Sequence, residues 1–454
     1  MIRPVLLLLL VTGFADAAPK PNLVIFISDD HTAKDSSVYG STDLPTPNMA
    51  RLAAAGMTFD RAYAASPTCA PSRAAFLTGL MPARNGSEAN HAAPRAELTK
   101  LPAYLHEQGY EVVAFGKVGH YKQTKDYGFD LSLHSGFHED VAVPEALKWL
   151  EARSGDKPLC LLVGTNWPHV PWPAKASENY DPRKVGIPPN HVDTTALRGA
   201  RARYFTAVST MDTELGQVYD LSRKKFGDNL LFLHFADQGA QWPFAKWTLY
   251  EDGIRVPMIA VWPGHAKPGT RSGAMVSLVD VLPTLVEAAG GSAPENIDGK
   301  SLTGVLEGKS TELRDRIHVT HSGDGNFNVY PMRGLVDRRW KYILNLHPEF
   351  RFGTHIIKTG EAGSKYWESW VEKGRDDPKA ATVVSRYERH PREELYDLET
   401  DPWEQNNLAA DPAQSERLAT MRKDLESWMT EQGDKQTVFG EPALLEVAGG
   451  DSRK

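Results

Sequence analysis

Residues 21–30 read PNLVIFISDD, and the fold turns on how this stretch is taken. From Asn22 to Ser28 it is apolar, rich in branched residues and without helical periodicity. It is also too short for an ordinary core helix, and Asp29-Asp30 close it abruptly. Such a run predicts a strand buried on both faces, and both-face burial demands covering layers above and below. The same form recurs at 111–117 (EVVAFGK), 158–166 (PLCLLVGTN), 229–239 (NLLFLHFADQG) and 257–264 (PMIAVWPG). Helical patterns lie between them at 46–56, 72–80, 100–109, 200–226 and 277–291. Strands alternating with helices predict an α/β domain, a mostly parallel central sheet sandwiched by helices.

Beyond about Thr311 the pieces become shorter, more polar and richer in Trp and Tyr, as in MRGLVDRRWKYILNL (332–346) and EELYDLETDP (393–402), before an amphipathic helix at 415–429. These predict a smaller C-terminal α+β domain, an antiparallel sheet with a terminal helix. Residues 1–18 carry one basic residue, an apolar run from Val5 to Val11 and a small-residue Ala-Asp-Ala ending at Ala17. That is the layout of a signal peptide, too short to span a bilayer. The expected organisation is therefore a leader at 1–18, a large domain at 19–310 and a smaller one at 311–454, periplasmic or secreted with no stable membrane insertion.

The 454 residues carry a net charge of −7, which argues against a nucleic-acid partner because that function needs a basic footprint. Two cysteines, Cys69 and Cys160, allow at most one disulfide, so disulfides do not build the fold. Cys160 sits inside an apolar strand and reads as an inert buried thiol.

Ligands of open α/β sheets bind beyond the carboxyl ends of the strands. Here those ends carry Asp29-Asp30, Lys117, Asn166 with His169 shortly after, and Asp237-Gln238. Adjacent carboxylates on one edge repel unless a cation stands between them. Asp29, Asp30, Asp237 and the Gln238 amide oxygen form an all-oxygen set that suits Ca²⁺, and less readily Mg²⁺. The plainer alternative is that Asp30 caps a turn and the other carboxylates are solvated. Zinc fits less well, since the histidines lie far apart. Cys69 reads either as a thiol nucleophile with His120 or His169 as base, or as a small buried apolar residue. Neither accounts for the string Cys69-Ala70-Pro71-Ser72-Arg73.

That string, followed by AAFLTG, resembles the Cys-x-Pro-Ser-Arg signature of the type I, formylglycine-dependent sulfatases of the alkaline phosphatase superfamily. PNLVIFISDD, TPNMARLAAAGMTFDRAY, FGKVGH, NWPHVPW, FADQG, KWTLYEDGIRVPMI, SLVDVLPTL and ELYDLETDPWEQNNLA agree in order, from about Pro21 to beyond Leu408. The resemblance implies an alkaline-phosphatase-like fold and a hydrolase of sulfate esters. It further implies that Cys69 is oxidised to Cα-formylglycine by a formylglycine-generating or anaerobic sulfatase-maturating enzyme. One hydroxyl of the hydrated aldehyde attacks sulfur, and the second helps eliminate sulfate. Asp29, Asp30, Asp237 and Gln238, with residue 69, match the ligands of one Ca²⁺. Arg73 matches the arginine that holds the hydrate, Lys117 and Lys246 match lysines that contact sulfate oxygens, and His169 matches the histidine near the leaving oxygen. Two departures stand out. The family's Gly-Lys-x-His is here Gly116-Lys117-Val118-Gly119-His120, with an extra residue before His120, and the fourth metal position, commonly Asn or His, is Gln238.

The resemblance spans aryl, choline, steroid and carbohydrate sulfates. Arg84, Asn90, His91 and Arg95 in the loop after the signature, with Asn166 and Trp172 near His169, favour a sulfated carbohydrate such as a glycosaminoglycan or algal polysaccharide fragment. Core packing is the alternative for Trp172. The style of that loop is similar to the heparan N-sulfatase (sulfamidase) branch and to bacterial polysaccharide sulfatases, so sulfamate cleavage is included. The rivals are an arylsulfatase of small molecules, a phosphodiesterase or phosphonate hydrolase of the same superfamily, and a non-catalytic glycan-binding relative.

Overall fold

The computed structural model describes residues 19–134, 136, 141–358 and 365–445; the expected leader at 1–18 lies outside them. The central sheet has eight strands: β1 (Asn22–Ser28), β2 (Met57–Tyr63), β3 (Glu111–Gly116), β4 (Leu131–Leu133), β5 (Leu159–Gly164), β6 (Leu230–Ala236), β7 (Met258–Val261) and β8 (Thr270–Ser277). Their order is β4-β3-β5-β1-β6-β7-β2-β8, and every pairing is parallel except those of β7 with β6 and β2. The central place of β1 follows from its residues, all seven of which are buried.

Alternate side chains of the strands feed two separate cores. Val24 and Phe26 of β1, with Leu161 and Phe232, meet the helices Pro47–Ala55, Ala142–Ala152 and Thr195–Phe226. Leu23, Ile25 and Ile27, with Cys160 and Leu233, face Cys69–Thr78, Leu101–Glu107 and Val281–Ala288. The sheet is thus sandwiched by helices. The five strands expected from continuous apolar runs are all present. Three more, β2, β4 and β8, have no such run: β4 has only three residues, β2 carries the half-buried Asp60 and Arg61, and β8 carries the exposed Arg271.

A second, antiparallel sheet is ordered β12-β11-β10-β9, from β9 (Ile317–His321), β10 (Met332–Val336), β11 (Trp340–Asn345) and β12 (Glu393–Asp397). One face packs on the helix Ser415–Glu431 through Leu335, Tyr342, Leu418 and Leu425. The other contributes Val319, Met332, Ile343 and Tyr396 to a core shared with the large sheet. The loop after β9 is thereby held over the carboxyl edge of the large sheet, where the Gly323 carbonyl accepts from the Asn90 amide at 2.9 Å.

Candidate active site

Strand register assembles the carboxylates. Ser28 of β1 pairs with Ala236 of β6, so the next residues, Asp29 and Asp237, emerge side by side. The Asp237 amide donates to the Ser28 carbonyl at 3.1 Å, and the Asp30 amide donates to Asp237 Oδ1 at 3.1 Å. Asp30 has a left-handed backbone, φ 63°, which turns its carboxylate back into the cluster. Asp29, Asp30, Asp237 and Gln238 are all fully buried.

Cys69 opens the helix Cys69–Thr78, and one turn later Arg73 points the same way. Cys69 Sγ lies 3.7 Å from Asp29 Oδ1, 3.4 Å from Lys117 Nζ and 3.2 Å from Gln238 Nε2. Arg73 Nε donates to Asp237 Oδ2 at 2.8 Å, and its Nη2 is 3.3 Å from Asp29 Oδ1. Ser72 Oγ donates to the Asp237 carbonyl at 2.5 Å, so the signature serine braces the turn after β6. Lys117 enters because Gly116, φ 77°, turns sharply at the end of β3, and the Lys117 amide donates to the Gly164 carbonyl at 2.8 Å. Its Nζ reaches Asp29 Oδ2 at 2.6 Å, and Lys246 Nζ reaches Asp30 Oδ1 at 2.7 Å. His169 Nε2 is 3.7 Å from Asp30 Oδ2, while its Nδ1 donates to the Val170 carbonyl at 2.5 Å.

The electrostatics follow from burial and from these pairings. Burial pushes the Cys69 thiol up to about 12 despite Lys117 and Lys246, so an unmodified Cys69 would be a neutral thiol and a poor nucleophile near neutrality. Burial also pushes Asp237 up to about 7, against the pull of Arg73. Burial and the Lys246 and Lys117 ammonium groups hold His169 well below the usual histidine range, and burial followed by the charges of Lys117, His91 and Arg73 depresses His120.

A divalent cation fits this donor set. Three buried carboxylates converge, and two groups of three donor atoms, from Asp29, Cys69 and Asp237 and from Asp30, Cys69 and His169, each lie within 4.8 Å of one another. Gln238 Nε2 donates to Asp30 Oδ1 at 2.5 Å while its buried Oε1 has no hydrogen-bond partner. A half-turn of that amide exchanges the two ends and offers a fourth oxygen to the centre. With all three carboxylates ionised around a cation, Arg73, Lys117 and Lys246 balance them, so a bound Ca²⁺ would make the cluster a net cationic seat for an anionic ester.

The other expected residues divide. His91 stands at the rim, with Nε2 3.1 Å from Asp324 Oδ1, and His120 packs edge-on against it at 4.7 Å. Asn90 is structural: its Oδ1 accepts from the Ala70 amide at 3.1 Å, bracing the start of the cysteine helix. Arg84 is held by Asp298 at 2.7 Å, and Arg95 by the Arg84 carbonyl and Glu97. Arg84 thus ties its loop to the segment around Asp298, and Arg95 is spent on its own loop. The Asn166 carbonyl accepts from the His169 amide at 2.9 Å, shaping that turn. Trp172 is not a stacking platform. It is buried against Trp242 at 4.5 Å and Tyr204 at 5.4 Å, and its Nε1 donates to the Pro168 carbonyl at 2.9 Å. Tyr121, Trp247, Asp324 and His355 escaped the sequence reading. Tyr121 and Trp247 were marked only by following His120 and Lys246, and Asp324 and His355 by nothing local.

Comparisons with known proteins agree with this geometry. The family model described as Sulfatase matches residues 21–292, and that described as N-sulphoglucosamine sulphohydrolase, C-terminal, matches residues 239–350. The chain is 30% identical over 438 residues to an ulvan-active sulfatase of Formosa agariphila, covering 94% of this chain and 83% of that one. It is 27% identical over 483 residues to the N-sulphoglucosamine sulphohydrolase of Homo sapiens, covering 94% and 93%. Its fold matches that of a protein solved in complex with its substrate D-glucosamine-2-N,6-O-disulfate, with a TM-score of 0.67 at 21% identity over 92% of this chain and 99% of that one. With a family model spanning most of the chain and the signature cysteine seated among three carboxylates, two lysines and an arginine, this protein belongs to the sulfatase family.

Proposed function

We propose that this chain is a calcium-dependent sulfatase that removes sulfate from a sulfated carbohydrate, by S–O or S–N cleavage, using formylglycine made from Cys69. The observation that carries the reading is the convergence of Asp29, Asp30, Asp237 and Gln238 on the Cys69 side chain, ringed by Arg73, Lys117 and Lys246. Relatives named for ulvan and for N-sulphoglucosamine support the carbohydrate class. Export through a leader at 1–18, domains at 19–310 and 311–454, and maturation by a separate oxidising enzyme belong to the same reading.

When bound by the three aspartates and Gln238, Ca²⁺ supplies fixed positive charge for the developing negative charge of the sulfuryl group. Residue 69, once an aldehyde and hydrated, supplies the attacking hydroxyl. The chain's own side chains do the rest. Lys117 and Lys246 are fully buried ammonium donors on either side of residue 69, placed to hold sulfate oxygens where water cannot compete. Arg73 orients residue 69 from one turn below. His169 faces the site through Nε2, and a bound anion draws a proton onto that nitrogen for delivery to the leaving oxygen or nitrogen.

The test is the tryptic peptide Ala62–Arg73 from protein matured in its own host. It should weigh less by the exchange of one sulfur and two hydrogens for one oxygen, and sulfate should be released from sulfated glycans. An intact thiol in active enzyme, or phosphate released in preference to sulfate, refutes the reading. Chelation of calcium should abolish turnover and lower the melting temperature, with readdition restoring both. Saturation at about 100 times the dissociation constant stabilises a fold by ~2.7 kcal/mol, well within reach of a melting curve.

A further inference from the structure

Two ladders of rings rise from the catalytic lysines. On one side Lys117 Nζ lies 4.6 Å from the Tyr121 ring centroid, Tyr121 stands edge-on to His120 at 4.6 Å, and His120 edge-on to His91 at 4.7 Å. On the other, Lys246 Nζ lies 5.2 Å from the Trp247 ring, Trp247 stacks on His355 at 5.4 Å, and His355 stacks on Phe327 at 3.8 Å. One carboxylate joins the two ladders. Asp324 Oδ1 is 3.1 Å from His91 Nε2, and its Oδ2 accepts from Trp247 Nε1 at 2.7 Å and lies 3.5 Å from His355 Nε2. Asp324 is buried, whereas the His91 side chain is 60% exposed and Phe327 is 37% exposed.

A simple joint between the two domains would bury its apolar surface, yet this one leaves an aromatic face and an imidazole open at the mouth of the site. The backbone adds an independent sign. Of eight non-glycine residues with positive φ among those described, three lie in these ladders: His91 (69°), Tyr121 (51°) and Trp247 (68°). Side chains resist that conformation, and such residues collect where function requires a particular placement.

We infer that this arch is the subsite for the sugar ring that bears the scissile group. Phe327, the outermost ring of its stack and backed by His355, offers its open face to the apolar face of a pyranose. His91, with Nε2 tied to Asp324, keeps Nδ1 as its remaining polar atom for a ring hydroxyl. Asp324 is a positioning residue. Its oxygens are occupied by His91, Trp247 and His355, so it acts by aiming rings from both domains at one space. The inference rests on the carbohydrate reading above and assigns specificity to the loop after β9.

The test compares matured full-length wild type with Phe327→Ala and Asp324→Asn on nitrophenyl sulfate, N-sulfoglucosamine and a sulfated ulvan oligosaccharide. Phe327→Ala, an exposed truncation, should raise KM for the saccharide by about fivefold or more while kcat stays within about twofold. Asp324→Asn should lower kcat/KM on the saccharide at least about tenfold more than on nitrophenyl sulfate. Equal losses on both substrates, or wild-type saccharide kinetics in both variants, overturn the subsite and leave the carbohydrate reading standing. A wild type that cleaves nitrophenyl sulfate and neither saccharide overturns the carbohydrate reading, and the subsite falls with it.

Discussion

Cys69 and Cys160 are both buried and unpaired, and burial pushes both thiols above the ordinary range. Cys160 lies among aliphatic side chains of the sheet, while Cys69 touches an ammonium group, an amide and a carboxylate. The same residue type thus acquires two roles from its surroundings. Cys69→Ala should lower turnover by at least about a thousandfold, because the nucleophile is gone. Cys160→Ala should keep wild-type turnover and lose ~1 kcal/mol of stability, as a small core truncation does. Steady-state kinetics with urea titration of both variants check this, and an active Cys69→Ala would end the assignment. The CAPSR string made Cys69 and Arg73 legible without a structure. Trp172 was not legible, since a tryptophan near a site is equally at home in a core, and only its packing on Trp242 and Tyr204 decides between them.

At the scale of elements, the carboxyl edge is built by close approach of strands. A Cβ on Gly116 would sit 2.1 Å from the Gly164 carbonyl oxygen and 2.3 Å from Ala142 Cβ, at a φ of 77° that side chains avoid. Gly116→Ala must therefore part β3 from β5 or rebuild the turn that delivers Lys117. It should cost ~2 kcal/mol or more in stability. It should also lower kcat/KM about tenfold or more, since a misplacement of about 1 Å weakens catalysis by that order. Wild-type values in both assays would show the turn to be tolerant. The cysteine helix itself begins at Cys69, three residues earlier than the expected start at Ser72, because Pro71 falls in the first helical turn, where its missing amide hydrogen is not needed. The charged strands β2 and β8 were illegible for the converse reason. Apolar runs mark strands covered on both faces, and these strands are partly open.

For the molecule as a whole, the smaller sheet is tied to the larger domain by buried polar groups as well as by shared core. Tyr250 donates to Glu394 Oε2 at 2.7 Å, and Tyr396 donates to the same oxygen at 2.6 Å. Burial alone would raise the Glu394 carboxyl, but hydrogen bonds from His390, Tyr396 and Asn345 hold it down to about 2, against an ordinary 4.5. A folded-state value below the unfolded one contributes stability that is complete above about 4.5 and is lost as pH falls toward 2, at most ~3 kcal/mol. Urea titrations near pH 7 and near pH 3 should show wild type losing more stability on acidification than Glu394→Gln does, and equal losses would exclude this linkage. By itself the sequence determined the α/β architecture and the strands whose ends carry polar groups, and its resemblance to the sulfatases singled out the Asp29, Asp30, Cys69, Arg73, Lys117, His169, Asp237, Gln238 and Lys246 set that the structure brings together. Continuous apolar runs and short motifs are local signals, and strand-end residues converge once the sheet is parallel. The arch of Tyr121, Trp247, Asp324, Phe327 and His355 was decided only by tertiary structure. Its members come from loops far apart in the chain, and no local pattern records that the buried Asp324 carboxylate will meet the rings of His91, Trp247 and His355.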